Sequence, residues 1–288
     1  MNVKLSTGVW MMLVASLAFG FMNVSVKMVH GMHVTELVFF RSIVQIIISA
    51  LVLFQQKESP IGKNPKMLLM RGFFGSMGLL CYFYSLQVMP LSNALVIHYL
   101  SPIITTVLAL LLGDEKIRNI QWLFFVISFA GVIVVNGYSE TITVDGIIAG
   151  LGGAFFSAFA YNTIRRLKGI ENPNVVVLYF PLVSMPLVLA LNLAGWGEWH
   201  IPQNNEWIWL ILTGVFTQVG QFFMTRAYQE AETKIVSAIS YSGIIWGTGF
   251  GLLLFNESYN IYQYLGMVLV VLGMVLNVRF NKKENSTR

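Results

Sequence analysis

The chain has 288 residues, of which 56% are hydrophobic and 11% charged, a charged share about half that of an ordinary soluble domain. With a mean hydropathy of +0.69, so few polar side chains cannot clothe a water-soluble enzyme of this size. The single cysteine excludes a disulfide framework and any multi-cysteine metal or iron–sulfur site, and the net charge of +5 argues for nucleic acid only if the basic residues gather on one surface.

Ten apolar stretches follow one another, near 8–27, 35–54, 67–86, 93–112, 118–137, 146–165, 175–194, 207–226, 235–254 and 261–280. Each is continuous and close to the roughly 20 residues that a membrane-spanning helix needs, about twice the length of a barrel strand. The first run is longer than the core of a secretory signal and no small-residue cleavage site follows it, so an uncleaved span is expected. The longest links, 55–66 and 195–206, carry turn residues such as Pro60, Gly62, Pro65, Gly195, Gly197 and Pro202. None could hold a soluble domain.

Helical spacing sorts the polar residues of these stretches into stripes. The first stretch places Ser16, Gly20, Asn23 and Lys27 on one face, and the second carries Arg41 about two turns from its start. That arginine either binds a carboxylate or phosphate through its fork of donors or pairs at the interface or with a helix C-terminus. The third stretch adds Tyr82 and Tyr84; the fourth adds His98, Tyr99, Ser101 and Thr105. His98 lies one turn before Pro102, where a kink frees backbone carbonyls beside it. It serves either a cargo or proton contact or a hydrogen bond to a neighbouring helix. The sixth stretch offers Tyr161, Asn162 and Arg165, the eighth Gln218, Gln221 and Thr225, and the ninth Ser237, Tyr241, Trp246 and Thr248. Polar groups at this depth line a cavity or glue helices together. The candidate substrate-binding set is Asn23, Arg41, Tyr82, His98, Tyr99, Tyr161, Asn162, Gln218, Gln221, Tyr241 and Trp246. Trp246, mid-span on a glycine-rich helix, would stack on a cargo or act as a gate.

Charge supplies the topology. If the even-numbered links and both tails share one side, every Lys and Arg except Lys27 and Arg41 falls on it. The positive-inside rule makes that side cytoplasmic, with both termini inside. The basic balance is then an orientation signal, and nucleic-acid binding is not expected. The membrane is expected to be the plasma membrane, a bacterial inner membrane by the shortness of the links.

The chain also repeats itself. A shift of 142 lays Gly72, Gly78, Gln87, Tyr99, Thr106, Glu115, Gln121 and Gly131 on Gly214, Gly220, Gln229, Tyr241, Thr248, Glu257, Gln263 and Gly273; a shift of 138 lays Gly8, Lys27 and Gly31 on Gly146, Arg165 and Gly169. Each half, 1–137 and 138–288, holds five stretches. An odd number makes the second half enter the membrane from the opposite side, the inverted-repeat layout of secondary transporters. The predicted fold is therefore all-α: a polytopic membrane protein of ten transmembrane helices in two inverted five-helix repeats.

In order along the chain, Phe39-Phe40-Arg41, Pro90-Leu91, Ser101-Pro102-Ile103, Leu111-Leu112-Gly113-Asp114-Glu115, Gln121 and Gly131 resemble the drug/metabolite transporter superfamily of the EamA type. The second copy reads Gly243-Ile244-Ile245, Leu253-Leu254-Phe255-Asn256-Glu257, Gln263 and Gly273. It lacks the Ser-Pro pair, so its helix should bend differently. The resemblance covers essentially the whole chain and implies movement of a small metabolite without specifying which.

Chemistry narrows the mechanism. All thirteen Asp and Glu residues fall in links, tails or span ends, whereas many proton-driven transporters use a carboxylate inside the membrane. Exchange or downhill movement is then at least as well supported as proton coupling through His98. No phosphate-binding loop accompanies the spans, which excludes an ATP-driven pump. Glu257 is expected to cap a helix or pair with a basic neighbour. The expected protein is a secondary transporter working by alternating access, exporting or exchanging a small polar organic metabolite as a monomer or homodimer. Metal and cofactor are not expected. An intramembrane enzyme or a channel is the alternative; His30, His33, His200 and Cys81 lack a plausible catalytic arrangement, and no charged ring or filter loop is evident.

Overall fold

The computed structural model describes residues 7–29, 31–112, 119–137, 143–197, 201–203 and 205–285. These residues form helices and connecting turns, with no strand among them. In chain order the helices are α1 (Thr7–Met28), α2 (Val34–Gln56), α3 (Pro65–Val88), α4 (Leu91–His98), α5 (Ser101–Leu111) and α6 (Asn119–Gly137). They continue as α7 (Val144–Arg166), α8 (Pro173–Leu193), α9 (Glu206–Glu230), α10 (Thr233–Ser240), α11 (Ser242–Leu254) and α12 (Ile261–Asn285). Among the described residues, eight helical stretches are long and apolar enough to cross a membrane, with shorter apolar segments at Ile120–Gly131 and Ile261–Gly273. The protein is a polytopic membrane protein.

Local chemistry sets the helix starts. Asn64 accepts the Met67 N–H at 3.2 Å, and Pro65 follows in the first turn, where its missing donor costs nothing. Thr143 accepts the Gly146 N–H at 3.1 Å to begin α7, and Asn172 accepts the Asn174 N–H at 2.9 Å to begin α8. Two acids cap more distant helices. Glu171 accepts the backbone N–H of Lys63 at 2.5 Å and that of Asn64, pinning the entry of α3 to the α7–α8 turn. Glu257 accepts the Leu91 N–H at 2.7 Å at the start of α4 and pairs with Lys27 Nζ at 3.5 Å. Helix-capping and ion pairing are thus both realised at Glu257; its repeat mate Glu115 lies outside the described residues, as do His30 and His200.

The fourth and ninth apolar stretches are each broken in two. The first break falls at Tyr99–Leu100, with Pro102 in the first turn of α5; the second falls at Tyr241. Tyr99 and Tyr241 are repeat mates, so the interruption recurs at the same position although the second copy has no proline. At the second break Gly243 admits the Tyr99 hydroxyl, which a Cβ at that position would overlap.

Packing follows the same duplication. Helix α1 lies on α9 as α7 lies on α3, while α2 meets α8 and α6 meets α12. The close approaches also correspond. A Cβ on Gly131 would lie 2.5 Å from the Gly266 carbonyl oxygen, and one on Gly273 would lie 2.6 Å from that of Phe124; Gly266 and Phe124 are themselves repeat mates. Ser128 Oγ donates across this contact to the Val270 carbonyl at 3.4 Å. The glycines spaced four apart on α7 and α11 form stripes that pack internally: Gly146 on Met89, Gly150 on Ile97 and Gly247 on Leu95.

Candidate functional site

Broken helices at membrane depth are tolerated where the freed backbone is buried in protein or lines a cavity. A cavity with an empty volume of about 860 Å³, counted out to its open mouth, lies among α1, α3, α7, α8, α9 and both breaks. Its wall includes Ser16 and Asn23 from α1, Arg71 and Tyr82 from α3, Ser157 and Tyr161 from α7, and Thr217, Gln221 and Tyr228 from α9. His98, Tyr99, Ser101 and Pro102 come from the first break and Ser240 from the second.

Of the residues anticipated from sequence, Asn23, Tyr82, His98, Tyr99, Tyr161 and Gln221 line this cavity together. Tyr82 Oη donates to Asn23 Oδ1 at 3.0 Å, tying α3 to α1. The Tyr82 ring stacks on His98, with centroids 4.1 Å apart, and His98 Nδ1 has no hydrogen-bond partner. Tyr161 stacks on Tyr228 with centroids 5.3 Å apart.

The other anticipated residues do not line it. Asn162 Nδ2 donates to the carbonyls of Thr105 and Ala158, each at 3.0 Å, joining α7 to α5. Gln218 donates to Ser49 Oγ at 2.9 Å and so ties α9 to α2. Arg41 is fully buried behind the wall, donating to Gln45 Oε1 at 2.6 Å with its Cζ 4.7 Å from the centre of the Phe180 ring. It reaches neither an interface nor a helix end. Tyr241 is buried at the second break with its ring 5.5 Å from that of Tyr99, and Trp246 on α11 is 36% exposed, its Cβ against Gly20.

Arg71 is the residue that sequence reasoning placed elsewhere. It belonged to the cytoplasmic basic count; in the structure it is 1% exposed and faces the cavity. Its Nη2 donates to Gln221 Oε1 at 2.7 Å, and its Cζ lies 4.7 Å from the centre of the Phe180 ring. The available signal was the run Arg71, Gly75, Gly78, Tyr82, spaced i, i+4, i+7, i+11 like the stripe of the first span. Phe180, Tyr228 and Ser240 were also missed: an aromatic in an apolar stretch, a tyrosine in a link and a serine carry no distinctive pattern. Among the described residues the cavity wall contains no Asp or Glu.

Membrane-length helices related pairwise by an internal duplication, around a largely apolar cavity with polar side chains and no acid in its described wall, at two matched helix breaks, define a membrane transporter. The chain belongs to the EamA-like transporter family, whose model matches residues 6–137 and again 144–279. It is 31% identical over 281 residues to the pseudopaline exporter of Pseudomonas aeruginosa, covering 96% of this chain and 98% of that one. It is 26% identical to human solute carrier family 35 member G1, over 93% of this chain and 78% of the relative. A crystal structure with 16% sequence identity superposes with a TM-score of 0.80 over 96% of this chain and 98% of its own, a likeness of fold. The chain is a small-molecule transporter and not an enzyme.

Proposed function

We propose that this protein is a secondary transporter in which two inverted five-helix repeats, 1–137 and 138–288, rock about the central cavity. It moves a small polar organic metabolite out of the cell or in exchange for another, across the plasma membrane and without ATP. The observation that carries this reading is the cavity itself, which lies between the duplicated halves at the two matched breaks, Tyr99 and Tyr241. Helix partners cross between the repeats, α1 with α9 and α3 with α7, so that both repeats wall the one cavity. The export direction draws on the relative named as an exporter. Asn23, Tyr82, His98, Tyr99, Tyr161 and Gln221 are the cargo contacts in this reading. The internal use of the glycine stripes supports a functional monomer, and the basic residues of the links and tails support cytoplasmic termini.

The test is transport by purified protein in liposomes free of ATP. Saturable movement of a metabolite, accelerated by the same metabolite on the opposite side, is expected. Absence of any movement across a broad metabolite panel, with folded protein verified, overturns the reading. A reporter fused after Arg288 should be active only on the cytoplasmic side.

A further inference from the structure

The cavity wall has one feature that a generic polar cargo does not account for. Arg71 is 1% exposed and faces the cavity, and its Nε and Nη1 have no hydrogen-bond partner. Among the described residues its hydrogen bond goes to the neutral Gln221. Next to it, against the same Phe180 ring, lies Arg41, fully buried, with Nε and Nη2 likewise without a hydrogen-bond partner. Buried guanidinium groups are costly unless an anion or a full set of acceptors meets them. The described cavity wall supplies no carboxylate.

The arrangement is built rather than incidental. Gly75, one turn along α3, leaves the room that the guanidinium occupies; a Cβ there would overlap Arg71 Nη1. Phe180 covers one side of the cation and Gln221 orients one nitrogen, while Nε and Nη1 lie buried at the edge of the cavity with no protein partner. A planar fork of donors matches the oxygens of a carboxylate or phosphate in two parallel hydrogen bonds. We propose that the cargo carries such an anionic group and that Arg71 is its anchor. This specifies the cargo class of the transport reading above and rests on it. The neutral groups of Asn23, Tyr82 and His98 contact the uncharged remainder of the cargo. Cations are rejected, since Arg71 repels them and the described wall holds no acid to receive them.

The test measures thermal stabilisation of the purified full chain in detergent, together with uptake into liposomes. The probes are succinate and glutamate (carboxylates), glycerol 3-phosphate (a phosphate ester), the neutral succinamide and glycerol, and the cation putrescine. At least one anion should stabilise the wild-type protein, while its neutral counterpart and putrescine do not; the two anion arms separate carboxylate from phosphate. R71Q should weaken that anion by roughly thirtyfold or more, R71K should lose less, and G75A should resemble R71Q by displacing the guanidinium. Stabilisation by neutral or cationic probes in preference to every anion overturns the proposal, as does equal anion binding by folded R71Q or no response to any anion. If R71Q does not fold, the wild-type preference among the probes and the effect of G75A still decide. Arg71-dependent anion binding without transport of any solute would sink the transport reading and leave the anion site standing. Transport of neutral solutes alone would do the reverse.

Discussion

His98 and Glu257 are both polar residues set in apolar stretches or at their ends, yet they face different things. His98 presents an unpartnered Nδ1 and lines the cavity beside Tyr82, whereas Glu257 holds the first turn of α4 and the ammonium of Lys27. His98→Ala should therefore weaken cargo binding about fivefold, the equivalent of one neutral hydrogen bond of ~1 kcal/mol, with little change in melting temperature. Glu257→Gln should leave cargo affinity near wild type and lower stability by ~1–2 kcal/mol, because a charge-assisted cap is lost. Thermal-shift titration of both variants checks the contrast; equal effects on affinity would refute the assignment of His98 to the site. Asn162 belongs with Glu257. Its two hydrogen bonds to backbone carbonyls join α7 to α5, so Asn162→Ala should cost ~0.6 kcal/mol of stability and leave cargo affinity unchanged.

At the level of elements, the two breaks and the α6–α12 contact carry the duplication. The break at Tyr241 forms without a proline, so Pro102 marks the first break without being needed to make one. The α6–α12 contact depends on a missing side chain from each half. Gly131→Ala and Gly273→Ala would press a methyl group onto the opposite backbone, and each should destabilise the protein by ~1–3 kcal/mol. Gly249→Ala is the control, with no atom within 4 Å of the new Cβ; it should be neutral or slightly stabilising. Melting curves of the three purified variants decide. A melting temperature for Gly131→Ala equal to that of Gly249→Ala would mean that α6 and α12 do not meet as described.

Across the whole molecule, Lys27 of α1 and Glu257 of the α11–α12 link join the two halves at one end of the bundle, and the Lys27 ammonium also lies 5.5 Å from the centre of the Phe255 ring. In the rocking cycle proposed above, this contact is the one expected to part. With Cys81 replaced by serine, cysteines at 27 and 257 joined by a reducible bifunctional reagent should abolish transport, and reductant should restore it. Undiminished transport with the link in place would exclude movement between the halves at this end. The pair is only partly exposed, at 20% and 12% for the two side chains. Replacing both residues also removes the Glu257 cap on Leu91, so the double-cysteine protein should lose ~1–2 kcal/mol of stability, as Glu257→Gln does.

The amino-acid sequence by itself determined that the chain lives in a membrane, that it is helical, and that its second half repeats the first at shifts of 138 and 142. Those properties are local or periodic: hydropathy over about 20 residues, the shortness of the links, and identities such as Tyr99 with Tyr241 in one register. It also placed Asn23, Tyr82, His98 and Gln221 on inward stripes, because helical spacing alone defines a face. Only the tertiary structure decided which stripe meets a cavity and which meets another helix. Asn162 and Tyr161 are adjacent on α7, and one bonds α5 while the other lines the cavity; no spacing rule distinguishes them. Arg71 shows the limit most clearly. Near the start of an apolar stretch, an arginine looks like one more cytoplasmic charge. Its burial depends on Gly75 leaving space on the same helix, and on Phe180 and Gln221 arriving from α8 and α9, more than a hundred residues away in the chain. Such a site exists only where distant helices close on one another, and its unpartnered nitrogens appear only when every neighbour is in place.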